Sequence, residues 1–232
     1  MAPPPKPYTP LPRPLIVLVG FIALTEIVLS LADRGILFDP TLRMRVLQVG
    51  AFWVGLLHGN PPLFPAQPVT MFVSHALLHG GFLHMAMNMT ILLALGRFTA
   101  DHYGPGAILP VFLAGAVGGG AVFGLLASEA YPMVGASGAV FAFLGLWTIW
   151  DWNRHRERGA PVGAVVRRVL VLIGLNVVLY FGLGGMLAWQ AHLGGFLAGI
   201  ACGLWLDGRR AATARALRAE ARRREAEARR PD

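Results

Sequence analysis

The chain has 232 residues, 55% of them hydrophobic and only 14% charged. Soluble domains carry about 25% charged residues, so an ordinary soluble domain is excluded, and several apolar runs reach the roughly 17–25 residues that span a bilayer. The formal net charge of +8 rests on nineteen Arg and one Lys, whose placement decides its meaning, while the single cysteine, Cys202, excludes an intramolecular disulfide and a thiolate metal cluster.

An all-α polytopic membrane protein is expected, with one membrane domain at residues 15–206 between a Pro-rich tail (1–14) and an Arg-rich tail (207–232). No cleavable signal peptide stands out, because no small-x-small pattern follows the first apolar run. Residues 15–31 read as the first span. Glu26 interrupts it: a carboxylate in a span is costly and often functional, and a protonated or hydrogen-bonded group facing other helices is the equally weighted alternative. Residues 32–68 are too long for a hairpin loop and end Pro-rich, so short helices at the membrane interface are expected there. The second span, 69–95, carries Thr70, Ser74, His75, His79, His84 and Asn88. A short polar link (96–105) leads to a third span (106–127) rich in small residues. A turn (128–132) precedes the fourth span (134–150), and a charged loop (151–161) follows it. The fifth span starts at Val162 or Arg168 and ends near Gly182. A Gly-rich turn (183–185) leads to the sixth span (187–206).

Six spans put both termini on one side. With the N-terminus inside, seventeen of the twenty cations lie inside, and only Arg34, Arg43 and Arg45 lie outside. The positive-inside rule then fixes the orientation. The charge reads as topological anchoring and contact with anionic lipid heads, and no nucleic-acid partner is expected. Trp147, Trp150, Trp152 and Trp189 fall where interfacial aromatic belts would lie.

Counting depth along the even spans brings three helices together. Ser137 lies about one turn into the fourth span and His192 about one turn into the sixth, both within about 10 Å of the outer interface at the rise of an α-helix. His75, His79, His84 and Asn88 lie along the outer part of the second span. Polar groups at this depth face the bundle interior or a water-filled cavity. On the sixth span, His192, Gly195 and Gly199 share one face, and the glycines let another backbone approach. On the fourth, Ser137, Phe141 and Gly145 share a face. Docking the two faces would bring Ser137 and His192 within hydrogen-bond reach and set Phe141 against the imidazole.

That set has the parts of acyl-transfer chemistry: a nucleophile, a base and donors for an oxyanion. Ser137 is the candidate nucleophile and His192 the candidate general base. His84, Asn88 and the backbone N–H of Ser137, unpaired in a first helical turn, are candidate oxyanion donors. The only acidic residue inside a span is Glu26, so a Ser-His dyad is expected, without a carboxylate third member. Competing motifs fail: residue 139 is Ala where a Gly-x-Ser-x-Gly elbow needs Gly, and there is no His-Glu-x-x-His and no pair of intramembrane aspartates. His75 and His79 have the i, i+4 spacing of metal ligands, but no carboxylate or cysteine joins them. No metal and no cofactor is expected, and a structural role outweighs a chemical one for both.

Gly135-Ala136-Ser137-Gly138, His75-x-x-x-His79-x-x-x-x-His84-x-x-x-Asn88 and Ala191-His192-x-x-Gly195-x-x-x-Gly199 together resemble the motifs of the rhomboid intramembrane serine proteases. The resemblance covers nearly the whole chain in the family's basic six-helix form. It implies a six-transmembrane-helix bundle, Ser137 as nucleophile, His192 as base, and His84 and Asn88 completing the oxyanion hole. It also implies that His79 braces the long first connection and that Gly135 and Gly138 permit tight packing around the serine. Two departures stand out. Gly96 is followed by Ala100 and Asp101 where the family often has Gly-x-x-x-Glu, and Phe141 stands where the family often has Tyr against the histidine.

The implied substrate is a single-span membrane protein with a helix-destabilising stretch near its outer end, because a peptide bond must be extended to be attacked. A bacterial inner membrane with cytoplasmic termini is the expected location. A non-catalytic membrane scaffold or chaperone on the same fold is the alternative, and the retained serine and histidine argue against it. A transporter would need a continuous polar path, and the inner halves of spans three to six offer little beyond Asn176. The oligomeric state is not legible in the chain.

Overall fold

The structure is a computed structural model that describes residues 10–128 and 131–228. Most of the expected Pro-rich tail, the middle of the expected 128–132 turn and the last four residues therefore lie outside the described residues. Eight α-helices are described: α1 (Arg13–Asp33), α2 (Leu42–Gly50), α3 (Gln67–Ser74), α4 (Phe82–Tyr103), α5 (Ile108–Leu126), α6 (Ser137–Glu157), α7 (Gly163–Gly182) and α8 (Trp189–Ala228). Among the described residues the only β pairing is an isolated antiparallel bridge between Phe52 and Met133. Four segments are long and apolar enough to cross a membrane by length and composition: α1, α4, Pro105–Leu126 and α7. With α6 and α8 they make six long helices in the order expected for a polytopic bundle.

The first span begins at Arg13, with Pro14 in its opening turn, where a missing N–H leaves nothing unpaired. The short helices expected in the long connection form as α2 and a 3₁₀ turn at Val54–Leu57. The second span is not continuous, contrary to expectation. The helix of α3 ends in a 3₁₀ turn at His75–Leu77, Leu78 is extended, and the chain restarts at Gly81 with φ +147°. Only glycine adopts that backbone readily, so the Gly80-Gly81 pair splits the expected run. His75 and His79 consequently lie outside the helix that carries His84 and Asn88. The polar link expected at 96–105 and the charged loop expected at 151–161 are largely helical, as the ends of α4 and α6. The Arg-rich tail continues α8 without a break to Ala228.

Small residues hold the bundle together, because lipid gives apolar side chains no reason to prefer each other and close backbone packing must do that work. The contacts among α5, α6 and α8 are the most extensive in the molecule. A Cβ placed on Gly195 would overlap the Gly138 carbonyl, and one on Gly199 would overlap the Ala142 carbonyl. A Cβ on Gly119 would lie 3.0 Å from the Ala191 carbonyl oxygen. On the other side, α1 packs on α4, where Leu15 fills the space left by Gly96. In contrast, α7 buries only Val165.

Candidate active site

Ser137 is the first residue of α6, not one turn into it. The reason is Gly135: at φ +126° it turns the chain so that the helix starts two residues later. Three backbone contacts hold the strand-like approach to the serine. Phe52 and Met133 exchange N–H···O bonds of 2.9 and 3.0 Å, and the Gly135 N–H donates to the His75 carbonyl at 2.9 Å. The Ala136 N–H donates to Nε2 of His79 at 3.2 Å. With Nε2 accepting, the neutral ring carries its proton on Nδ1. His79 Nδ1 is buried and has no hydrogen-bond partner among the described residues. Ser137 itself is half-buried, and its N–H is among the first of α6, which have no intrahelical acceptor.

His79 also connects this loop to the long first connection. Its carbonyl accepts a 2.8 Å bond from Arg43 Nη1 on α2. Arg43 makes bonds of 2.8 and 3.1 Å to the two carboxylate oxygens of Glu26 and one of 2.6 Å to Asp33. Glu26 is 1% exposed and also accepts from Ser30 Oγ at 2.9 Å. The carboxylate interrupting the first span is thus a hydrogen-bonded group facing inward. The hydrogen bond to Glu26 is the main reason the Arg43 pKa is raised above the ordinary arginine value; burial opposes the shift and Asp33 reinforces it. Glu26, Arg43, His79 and Ala136 therefore form one bonded chain from α1 through α2 to the residue before Ser137.

His192 is buried near the start of α8. Its ring stacks on Phe141, with centroids 4.2 Å apart and planes 7° apart. Phe141 is one turn beyond Ser137, and Gly195, one turn beyond His192, meets the backbone of Gly138. The expected docking of the two faces is present, and it brings Ser137 and His192 onto adjacent turns of helices in backbone contact. Contrary to the expected hydrogen-bond reach, no hydrogen bond joins the two side chains among the described residues. Nδ1 of His192 is 2.5 Å from Oδ1 of Asn176 on α7.

His84 and Asn88 stand one turn apart on α4. His84 is exposed, and its ring meets His79 edge to face at 5.0 Å. A Cβ on Gly135 would lie 2.7 Å from His84 Cε1, which places the imidazole against the turn before Ser137. Asn88 is buried and donates one amide N–H to the His84 carbonyl at 3.0 Å. The arrangement joins a hydroxyl at a helix N-terminus, an imidazole with one nitrogen hydrogen-bonded, and an exposed imidazole beside the hydroxyl's turn. Chemically it suits attack on a carbonyl and stabilisation of the resulting oxyanion.

A family profile for the rhomboid domain matches residues 66–209, more than half of the chain. The chain belongs to the rhomboid family. Among curated relatives, RHOMBOID-like protein 5 of Arabidopsis thaliana is 32% identical over 133 residues, which is 56% of this chain and 41% of that protein. Rhomboid protease GlpG of Photorhabdus laumondii is 31% identical over 136 residues, 58% of this chain and 46% of that protein. Rhomboid-type serine protease 2 of Emericella nidulans is 29% identical over 136 residues, 57% of this chain and 26% of that protein. The matches thus span less than half the length of each of these relatives. This rhomboid is an integral multi-pass membrane protein of a family that includes intramembrane serine proteases.

Two features of the rhomboid site were not read from the sequence. Arg43 was counted only as an outside cation, and its pairing with Glu26 depends on how α2 folds back. Asn176 was placed with the inner halves of the spans, yet it is the fourteenth residue of the twenty in α7. An odd span runs opposite to an even one, so the depth count that located His192 would have put Asn176 level with it.

Proposed function

We propose that this rhomboid is a serine endopeptidase that cleaves single-span membrane proteins near the outer face of the bilayer. The observation that carries the proposal is the α6–α8 crossing, where Gly138 meets Gly195 and Phe141 stacks on His192. Ser137 Oγ attacks the scissile carbonyl carbon while His192 Nε2 takes its proton. The oxyanion is held by His84, by Asn88 and by the N–H of Ser137, aided by the positive end of α6. The tetrahedral intermediate collapses, the leaving amine takes the proton from Nε2, and an acyl-enzyme remains. Water then attacks the acyl carbon, giving its proton to Nε2, and Nε2 returns that proton to Ser137 Oγ as the second intermediate collapses and the acid product leaves.

The orientation with both termini in the cytoplasm, and a location in a bacterial inner membrane, belong to the same proposal. They rest on the distribution of the cations. The alternative is a non-catalytic scaffold on this fold, and one observation favours it: Ser137 and His192 are not hydrogen-bonded to each other. Such bonds often tighten only with substrate bound. Purified protein in liposomes, given a single-span substrate with Gly or Pro near its outer end, separates the two readings. A protease cleaves once near that end, and Ser137→Ala does not. Intact substrate with a folded wild-type protein contradicts the proposal and supports the scaffold.

A further inference from the structure

The fifth span carries one polar group into the site. Asn176 Nδ2 donates to the Leu172 carbonyl at 2.9 Å. The same amide therefore turns Oδ1 outward, toward His192 Nδ1 at 2.5 Å. A carbonyl oxygen only accepts, so Nδ1 must be the protonated nitrogen. A neutral imidazole has one proton, and Nε2 is left with its lone pair. That is the tautomer a general base needs.

Little else holds the outer half of α7. Arg168, near its inner end, bonds Asp151 at 2.9 Å and lies 3.9 Å over the Trp147 ring. Beyond it, a cavity of about 500 Å³ separates α7 from α8. Its walls are apolar side chains such as Leu172, Val177, Phe181, Phe196 and Leu197, and the Asn176–His192 pair sits among them. A hydrogen bond between polar groups in such surroundings is strong, and breaking it leaves both unpaired.

We propose that Asn176 is a positioning residue for His192: its amide oxygen fixes the imidazole tautomer, so the docking of α7 is a condition for a competent dyad. The proposal rests on the endopeptidase reading above. Movement of α7 away from the bundle removes the acceptor from Nδ1, lets the two tautomers mix, and leaves Phe141 alone to hold the ring. Function then depends on a helix whose own packing is slight.

The test uses full-length protein in liposomes, with Asn176→Leu and Asn176→Asp beside the wild type. Asn176→Leu keeps the volume and removes the acceptor. Its kcat should fall by about ten- to a hundredfold, below the full worth of a general base, with KM unchanged and the melting temperature lowered by no more than the loss of one buried hydrogen bond. Asn176→Asp restores an acceptor and should recover most of kcat. Its carboxylate favours the imidazolium, so the acid limb of the pH profile should move up. The titratable side chains around this ring are few: His84 acts on it from α4 and Tyr180 of α7 lines the same cavity, with no Asp, Glu, Lys or Arg in that lining. Nitrogen-15 NMR of His192 supplies a readout that needs no turnover. Wild type should show a protonated Nδ1, and Asn176→Leu a mixture. Wild-type kcat and an unmixed tautomer in Asn176→Leu would overturn the proposal. So would equal losses of kcat and melting temperature in both variants, which mark a merely structural role. An inactive wild type with the tautomer still set by Asn176 would sink the endopeptidase reading and leave the positioning role standing.

Discussion

At Gly135 the backbone and a side chain compete for the same space. Its φ of +126° is open to glycine, and a Cβ there would press on the His84 ring at 2.7 Å. Gly135→Ala should cost about 1–3 kcal/mol through the strained backbone alone and displace His84 as well. A thermal melt in detergent should show the loss, together with a drop in cleavage rate larger than the stability change explains. Arg43 poses the opposite problem, a charge whose removal strands another. Arg43→Ala leaves Glu26 buried without its cation, which costs about 3–5 kcal/mol. The double variant Glu26→Leu/Arg43→Ala should regain most of it, because no buried charge is left unpaired and Asp33, which also loses Arg43, is exposed. Melting temperatures of the two singles and the double check this, and simple additivity would contradict it. The docking of α6 on α8, with Phe141 stacked on His192, was legible from depth and helix face alone. Arg43 was not, because nothing local in residues 32–68 predicts which cation folds back onto the first span.

Among the elements, the pairing of α6 with α8 governs the geometry of the site. The backbones touch at Gly195 and Gly199, so any side chain there must push the helices apart. Gly199→Val should destabilise by about 1–3 kcal/mol or more and separate the serine from the histidine. Gly174, on the exposed face of α7 with open space around it, is the control. Gly174→Ala should be neutral or stabilise by about 0.5–1 kcal/mol, read in the same melt. If both substitutions behave alike, the close approach is not what orients the site. The glycine spacing in residues 191–203 announced this contact, since i, i+4 small residues have few other uses in a membrane helix. The break in the expected second span was harder to read. Hydropathy averages across Gly80-Gly81, and an apolar run of 27 residues by number (69–95) looks continuous. The consequence reaches the site, because the freed segment places His75 and His79 under the loop before Ser137.

Across the whole molecule, the proposed orientation rests on charge and the geometry of the site on packing. The cation count predicts the C-terminal end of α8 inside and the long first connection outside. In a Cys202→Ala background, Asn60→Cys should react with a membrane-impermeant maleimide in intact cells, and Ala212→Cys only after permeabilisation. The reverse pattern would invert the orientation and move the site to the inner face. The six-helix order was legible because each long helix carries its own apolar signature. The placement of Asn176 against His192 was not, since it needs two helices far apart in sequence to be set at one depth. The central claim is that Ser137 is an activated nucleophile with His192 as its base. A fluorophosphonate probe of serine hydrolases, applied in detergent to wild type, Ser137→Ala and His192→Ala, tests it most directly. Labelling of the wild type alone is the predicted result, with both variants falling to background. A folded wild type that takes no label, or a His192→Ala variant labelled as fast as wild type, would contradict it.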